Sequence, residues 1–473
     1  MSSFSPSLFS LLTRATLLLL VSTPLGLSAQ FEAAPMGYPH TGGWSNPASL
    51  PFPGGHLIFP GLSGLSISAF HSGPTHGQVV SDAGAVDIEG FVERLDLVEH
   101  EVLDLEVPIL GFGFRSRSHS GSDWAFSYST SAQIEQRVSY PKGLLELAWR
   151  GNAHPDMIGQ RLSLDGFGVY AQTYLDHAVT ASVDLSQRRL RLGLGAHYLM
   201  GLGAVNTLTS RAGWTTDPLD YAWDFDGSLD IRSAGVPLYV EGADSLNFDA
   251  LDDFNPMESP IASGVSVDLG LLWDFAPKWQ FDAAATGLGS IRWDNHATAI
   301  RLDPQSFRFE GLDLLQVLED SSATSTTDQF LDSLALSWTP DLAGDATFTS
   351  APIGRLHAAV HYAPGERSTI SAFVARKTVW RAHFYSIGAA GDFRVSDHFS
   401  LHLSGQFFDS EQWLLGGGFS VRAGPVRWSL STTNALPAFA PLDRGAVQVS
   451  TRINFEWGGK KLDKESQSNK KAL

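Results

Sequence analysis

The stretch Ala446–Trp457 reads AVQVSTRINFEW and alternates between two kinds of side chain. Apolar residues and one threonine occupy every second position from Val447 to Trp457, whereas polar and charged residues occupy the positions from Gln448 to Glu456. Successive side chains of a β-strand point to opposite faces, whereas a helix repeats every 3.6 residues. This stretch therefore predicts a β-strand with one apolar and one polar face.

The same alternation recurs along the chain in stretches that are longer than most strands. They are Ile353–Tyr362, Phe399–Phe408, Gly264–Phe275 and Trp279–Trp293. Strands of globular proteins average about five or six residues, whereas a tilted strand that crosses a bilayer needs about 9–11. The length of the strands thus favours a membrane protein. The alternative is a soluble β-sandwich, in which the apolar faces would pack against a second sheet.

A sheet inside hydrocarbon must close on itself, because each unpaired backbone group at an edge would cost several kcal/mol. Turn sequences such as Ala276-Pro277-Lys278 and Ala423-Gly424-Pro425 separate the strands at hairpin spacing. We therefore predict an all-β fold, a single transmembrane antiparallel up-and-down β-barrel of about 14 strands, within about 12–16. Aromatic residues near the strand ends are typical of membrane-interface girdles. They are Trp273, Trp279, Trp293, Trp380, Phe384, Trp413, Trp428, Phe455 and Trp457.

The two ends of the chain differ from this pattern. Residues 1–29 have the features of a signal peptide: Arg14 is the only charge, Ala15–Val21 is apolar, and Leu27-Ser28-Ala29 precedes the predicted cleavage site. We assign residues 30–457 to the barrel, with a plug-like N-terminal segment within residues 30–100. Residues 458–473 contain five lysines and are predicted to form a flexible tail. After residue 29 no apolar stretch approaches the about 18–20 residues of a membrane-spanning helix.

Three internal segments also break the alternation. Val86–Val98 has apolar residues at helical spacing, which predicts a short amphipathic helix at one mouth of the barrel. Residues 242–259 are polar and acidic. Residues 311–333 combine a short helical pattern at Leu312–Leu318 with a stretch rich in Ser, Thr and Asp, which predicts a long loop.

The composition excludes several classes of protein. The chain has 50 acidic and 32 basic residues, a formal net charge of −18, which disfavours a nucleic-acid partner. It has no cysteine, so disulfide frameworks and thiolate metal sites are excluded. Its 13 Trp and 29 Phe make it too aromatic for a disordered acidic protein.

Several ordered motifs resemble one family of membrane proteins. They are Trp44-Ser45-Asn46-Pro47-Ala48, Phe59–Leu65, Gly151-Asn152, Leu190–Asn206, Gly264–Trp293 and Phe307–Gly311. Together they resemble a Bacteroidota family of outer-membrane β-barrels of unknown function (DUF5723-like), which is distantly similar to long-chain fatty-acid transporter barrels. The resemblance spans roughly residues 40–455 and implies a Gram-negative outer-membrane location and a barrel of transporter-like size. It implies no catalytic residues.

The sequence contains no recognisable catalytic constellation, so we expect no enzymatic activity, no cofactor and no metal site. Gly-x-Gly pairs such as Gly193–Gly195 lack a following helix and are expected to let the wall bend or a plug approach it. His357 and His361 lie about 13 Å apart on a strand that rises about 3.3 Å per residue, which argues against one shared metal ion. Polar-face residues are candidates for lining the lumen. They are Arg355, His357, His361, His402, Gln406, Arg422 and Arg452.

Two functions remain open for a monomeric barrel in the cell outer membrane, in contact with its lipid. The first is porin-like or transporter-like passage of small or hydrophobic molecules through a barrel that residues 31–60 and the helix Val86–Val98 partly obstruct. The second is a structural or docking role, in which the loops at 242–259 and 311–350 and the lysine tail hold an envelope, secretion or motility protein. An open lumen would favour the first function and a sealed lumen the second.

Overall fold

The structure is a computed structural model that describes residues 46–49, 54–58, 64–74, 79, 87–117, 123–185, 189–235, 261–309, 341–344, 346–409, 412–435 and 446–457. The predicted signal peptide, the loops at 242–259 and 311–333 and the lysine tail lie outside the described residues. Most of the predicted obstructing segment 31–60 lies outside them too. Of its described residues, 54–58 form part of the barrel wall and do not obstruct the lumen.

Twenty strands and two short helices form among these residues. The strands are β1 (Gly54–Ile58), β2 (Gly64–His71), β3 (Val98–Arg117), β4 (Asp123–Pro141), β5 (Arg161–Ser163), β6 (Gly168–Leu185), β7 (Leu190–Thr216), β8 (Trp223–Ala234), β9 (Ala262–Ala276), β10 (Trp279–Trp293), β11 (Ala297–Phe309), β12 (Asp341–Gly344), β13 (Phe348–Ser350), β14 (Gly354–Gly365), β15 (Ser368–Val379), β16 (Ala382–Arg394), β17 (Phe399–Phe408), β18 (Gln412–Ala423), β19 (Val426–Thr432) and β20 (Ala446–Trp457). The helices are α1 (Ile88–Arg94) and α2 (Lys142–Arg150).

The strands form one closed antiparallel barrel with 14 strands in its wall. Five of these wall strands consist of consecutive pieces: β1 with β2, β5 with β6, β8 with β9, β10 with β11, and β12 with β13 and β14. The ring closes where the first wall strand pairs with β20, with Gly55 opposite Trp457 and Gly64 opposite Arg452. The barrel predicted from the alternation is therefore confirmed.

The two ends of the barrel differ in their connections. At the turn end, β9 and β10, β14 and β15, and β18 and β19 are each joined by two residues, and both the start of β1 and the end of β20 lie there. At the other end, the loop end, β4 ends at Pro141 and β6 begins at Gly168, and the chain between them contains α2 and β5. We use these two names for the ends below.

The outer face of the wall is apolar and the inner face is polar. In β20, Gln448, Arg452 and Glu456 are buried, whereas Val449 is 39% exposed and Trp457 is 55% exposed. A β-sandwich would show the reverse, with the apolar side chains buried between two sheets. The sandwich alternative is therefore wrong.

One side of the barrel rises beyond the rest at the loop end. Strands β15 to β18 have 10–13 residues, close to the about 9–11 that cross a bilayer. Strand β7 has 27 residues. Its last part pairs with β8 and β5, and β8 pairs with β11. We call residues 207–230 and 300–309, together with β5, the extension.

The predicted boundaries are confirmed for β10, β17 and β20, whereas the helices differ from the prediction. Helix α1 is shorter than the predicted 86–98: the Asp87 carboxylate accepts a hydrogen bond of 2.9 Å from the Gly90 N–H at its start, and Val98 already begins β3. Helix α2 was not expected from the sequence. None of the helices in the described part of the chain is long and apolar enough to cross a membrane.

Some of the aromatic residues predicted to form the girdles are exposed on the outer face, whereas others are buried inside the barrel. Trp273, Trp279, Trp413, Trp428 and Trp457 are exposed on the outer face. Trp293 and Phe384 are buried inside the barrel, and Trp380 packs against an interior cluster. Trp293 changes face because the pairing of β10 with β9 shifts between Ala285 and Leu288, where Gly287 adopts a φ of 69°. An extra residue in one strand moves every later side chain to the opposite face.

Candidate functional site

All seven residues proposed to line the lumen lie on the inner face of the wall, and most bind an acidic partner there. Arg355 contacts Asp104, His357 and His361 contact Asp282, His402 contacts Asp392, Arg422 contacts Glu456, and Arg452 contacts Glu106. Gln406 is buried, and both polar atoms of its amide lack a hydrogen-bond partner among the described residues. Whether these residues line a passage stays a prediction.

Asp104 joins opposite sides of the lumen. It lies on β3, and its carboxylate accepts from the Arg355 Nη2 of β14 at 2.8 Å and from the Lys377 Nζ of β15 at 3.1 Å. Strands β14 and β15 are not neighbours of β3 in the wall. The ion cluster therefore crosses the interior, and Lys377 and Asp104 are both buried.

A second bridge crosses the lumen at Glu135 and Gln172. The Ile353 N–H donates to the Glu135 carboxylate at 3.0 Å, and Gln172 donates to the Ala351 carbonyl at 3.1 Å. The Tyr170 hydroxyl donates to the same carbonyl at 2.6 Å. Because residues 351–353 precede β14 whereas Glu135 and Gln172 lie on β4 and β6, these bonds hold two distant parts of the wall together.

The two bridges divide the interior into two lobes, and each lobe contains a hydrophobic cluster. One lobe lies between β15 and β3, and the other between β6 and β14. The first cluster comprises Phe70, Val102, Tyr170, Ile353, Val379, Phe384, Phe408 and Leu414. The second comprises Tyr174, Leu199, Ala204, Ala234, Ile261, Ala262, Ile291, Trp293, Ala297 and Phe348. Packed side chains therefore occupy part of the interior in both lobes.

Residues 46–49 of the N-terminal segment lie inside the second lobe. The Asn46 side-chain amide donates to the Asp282 carboxylate at 2.6 Å and to the carbonyls of Leu271 and Ala283 at 3.3 Å. Its oxygen accepts from the Ala48 N–H at 2.8 Å, which fixes the turn. Asn46 and Ala48 are 0% exposed, so this turn fills space that would otherwise belong to the lumen.

The wall receives this turn at two glycines. A Cβ atom at Gly193 on β7 would overlap the backbone of Pro47 and Ala48, and one at Gly270 on β9 would overlap the Asn46 side chain. Gly193 and Gly270 are paired opposite each other in neighbouring strands. They form a shallow seat, which we call the glycine seat. Its Gly193 belongs to the Gly-x-Gly pair for which the sequence suggested close approach by a plug.

Asp282 connects the glycine seat to two of the predicted histidines. The His357 Nε2 lies 2.9 Å from one carboxylate oxygen, and the His361 Nε2 lies 3.6 Å from the other. His361 also bonds to the Ser371 hydroxyl at 2.7 Å through Nδ1. The spacing argument for these histidines concerned their backbone positions, whereas their side chains converge on one carboxylate. Within the described part of the chain, no group of three or more His, Cys, Asp or Glu residues is arranged to hold a metal ion.

Further charges on the inner wall are paired along the second lobe. His197 lies between Asp176, at 2.9 Å from Nδ1, and Asp268, at 3.1 Å from Nε2. Arg191 binds Asp184 and reaches the Ala48 carbonyl at 3.5 Å. Unpaired buried charges are costly, so this pairing stabilises a polar interior.

Sequence reasoning missed the acidic and amide residues that form the contacts across the lumen and the contact with the N-terminal turn. They are Asp104, Glu135, Gln172 and Asp282. Each occupies an inward position of a strand, so a period-two analysis of β3, β4, β6 and β10 would have shown polar inward positions. It would not have shown which of these residues meet across the lumen.

Comparison with solved structures gives several barrels at low similarity. The Ralstonia pickettii toluene transporter TbuX shares 11% identity over 87% of this chain and 92% of its own, with a TM-score of 0.39. The Pseudomonas putida toluene transporter TodX shares 8% over 91% and 93%, with a TM-score of 0.39. A Pseudomonas aeruginosa FadL homologue shares 9% over 88% and 90%, with a TM-score of 0.36.

Comparison with curated proteins and with families gives two further matches. Glycerol kinase 2 of Saccharolobus solfataricus is 24% identical over 178 residues, which are 36% of this chain and 35% of that protein. The chain thus spans about a third of the length of the curated relative it matches. Residues 47–432 match the family described as "Family of unknown function (DUF5723)", a range that includes every wall strand except β20. The chain therefore belongs to the DUF5723 family.

Proposed function

We propose that the protein is an outer-membrane β-barrel that encloses a gated passage for small molecules, closed at rest by its N-terminal segment. The location is supported by the closed sheet and by its apolar outer face, on which Val265 is 66% exposed and Ile387 is 59% exposed. Such side chains are stable against lipid and unfavourable against water. In outer-membrane barrels short turns face the periplasm and long loops face outward. The loop end then faces outward.

The observation that carries the proposal is the turn at residues 46–49 inside the wall. It is a separate piece of chain, outside the wall strands, held by the Asn46 hydrogen bonds and the glycine seat rather than by strand pairing. Such a segment can leave without opening the sheet. Small or hydrophobic molecules are the class we propose to pass, because the interior carries hydrophobic clusters beside its paired charges.

The replacement Gly193→Ala tests the gate. A single methyl group at this position overlaps the Pro47–Ala48 backbone, so we expect the turn to be displaced while the wall stays intact. Liposome swelling in isosmotic arabinose should then be several times faster than with the unaltered protein. Deletion of residues 31–49, which removes the turn and keeps β1 in the wall, should give at least the same increase.

The matched control is Gly417→Ala on β18, where a Cβ meets only ordinary contacts at 3.6 Å and 3.8 Å. It should leave the swelling rate unchanged. If neither Gly193→Ala nor the deletion raises the rate, although both proteins migrate as folded barrels on detergent gels, the passage is refuted.

A second candidate, a structural or docking barrel, is supported by the two bridges across the lumen. The Asp104 and Glu135 contacts would keep the interior closed even after the N-terminal segment leaves. If the protein has this role, liposomes that contain Gly193→Ala or the deletion variant should swell no faster than liposomes with the unaltered protein. It also predicts that crosslinking in intact envelopes recovers one partner protein in a fixed molar ratio to the barrel.

A further inference from the structure

A cleft on the extension is lined by polar and charged side chains that have no part in the proposed gate. It lies on the inner face of β7, β8 and β11 in the extension, which rises beyond the shorter strands of the wall, and its volume is about 620 Å³. Small-molecule sites typically measure about 300–1,000 Å³. Its polar lining includes the side chains of Arg161, Asp165, Arg211, Asp226, Ser228 and Ser306.

Strand register places these side chains on one face. Arg211 lies opposite Ser228, and Asp226 lies opposite both Gly213 and Ser306. The opposite face carries an aromatic row in which Trp214 packs on Phe225 at 4.1 Å. A register shift between Leu302 and Gln305 widens β11 at the cleft. The extension is therefore two-sided, with the polar side toward the barrel axis.

Arg161 and Asp226 neutralise each other in a direct ion pair within the cleft. The Arg161 guanidinium binds Asp226 through Nε at 2.9 Å and Nη2 at 2.6 Å, a bidentate arrangement. This hydrogen bonding holds the pKa of Asp226 below its ordinary value. The pair thus stays ionised and contributes no net charge.

The other two charged side chains of the cleft, Arg211 and Asp165, can each form further hydrogen bonds. Arg211 is exposed and has no ion-pair or hydrogen-bond partner for its guanidinium among the described residues. One oxygen of Asp165 accepts from the Ala212 N–H at 2.8 Å, and the other lies 3.8 Å from Arg161. The cleft therefore offers one cation and one carboxylate with free bonding capacity, beside the hydroxyls of Ser228 and Ser306.

We propose that this cleft binds a short zwitterionic peptide, with its carboxylate on Arg211 and its ammonium group on Asp165. The two serine hydroxyls then bond to the peptide backbone. A neutral sugar would leave Arg211 without a counter-charge, and a simple anion would leave Asp165 without one. A single amino acid would fill little of the cleft. The peptide site rests on the proposed function in one respect: the peptide is the class of molecule that we propose to collect at the outer entrance of the gated passage.

The test is calorimetric titration of the full chain in detergent with trialanine and two capped analogues. Trialanine should bind in a saturable manner. N-acetylation removes the ammonium group and C-amidation removes the carboxylate, so each should weaken binding about tenfold, as expected for a lost charge-assisted hydrogen bond. Saturable binding that does not distinguish the three peptides, or no binding of trialanine, would overturn the proposal.

Two variants test which charged side chain binds which end of the peptide. Arg211→Gln should weaken trialanine binding about tenfold and abolish the difference between acid and amide. Asp165→Asn retains an acceptor for the Ala212 N–H and should abolish the difference between free and acetylated peptide. The control Arg394→Gln alters an exposed arginine at the turn end and should change nothing. If the variants bind like the unaltered protein, the site lies elsewhere.

This test is independent of passage because it needs no membrane. Failure of the swelling assay together with discriminating peptide binding would refute the gate alone. Failure to bind together with the expected swelling would refute the peptide site alone.

Discussion

Replacement of Asp104 by asparagine should lower the free energy of unfolding by about 3 kcal/mol, at the low end of the range of about 3–5 kcal/mol for breaking a buried ion pair. The change removes the charge that Lys377 and Arg355 share at the centre of the lumen. Most of the loss should come from Lys377, because its side chain is only 5% exposed, whereas Arg355 is 34% exposed and is screened by solvent. Urea unfolding in lipid vesicles, followed by tryptophan fluorescence, measures the effect.

Two controls separate the bridge from a general loss of charge. Asp156→Asn removes a carboxylate that is 79% exposed and should change the unfolding free energy by less than about 0.5 kcal/mol. The double variant Asp104→Leu with Lys377→Met removes both buried charges and should recover much of the loss. An Asp104→Asn protein as stable as the unaltered one would show that the bridge is not formed.

Replacement of Trp293 by alanine should cost about 3–5 kcal/mol, the range for deleting a large aromatic side chain from a packed core. Trp293 is 0% exposed, stacks on Phe348 with ring centroids 6.0 Å apart, and donates its indole N–H to Ser350 at 2.7 Å. Ser350 in turn bonds to Gln172, so the loss extends into the second bridge. The same vesicle unfolding experiment applies.

The matched control is Trp413→Ala, because Trp413 is 65% exposed on the outer face. A girdle tryptophan packs against lipid on one side only, so its loss should cost clearly less than that of Trp293. Equal effects of the two changes would mean that Trp293 also lies at the membrane interface, as the sequence alone suggested.

The closed barrel was predictable because its signal is local. Alternation in Ala446–Trp457 and in Phe399–Phe408 shows both the strand and its faces, and the turn sequences show where strands reverse. The face of Trp293 was not predictable, since it depends on one extra residue near Gly287 that shifts the pairing. The alternation on either side of such a bulge looks regular in the sequence.

The interior contacts could not be predicted for a different reason. Asp104 lies 251 residues from Arg355 and 273 residues from Lys377, and the three meet only because the barrel is narrow enough for opposite walls to touch. Period-two patterns show that a side chain points inward, but not what it meets there. The glycine seat was partly visible, because glycines within a strand commonly mark a close approach.

The most direct test of the barrel is nitroxide scanning of β20. The chain contains no cysteine, so single cysteines at positions 448–456 can be labelled without further changes. In reconstituted vesicles, collision with oxygen should be high at 449, 451, 453 and 455 and low at the positions between them, with a period of two. Low accessibility to both oxygen and a water-soluble nickel chelate at those four positions would place them inside a dry core and contradict the barrel.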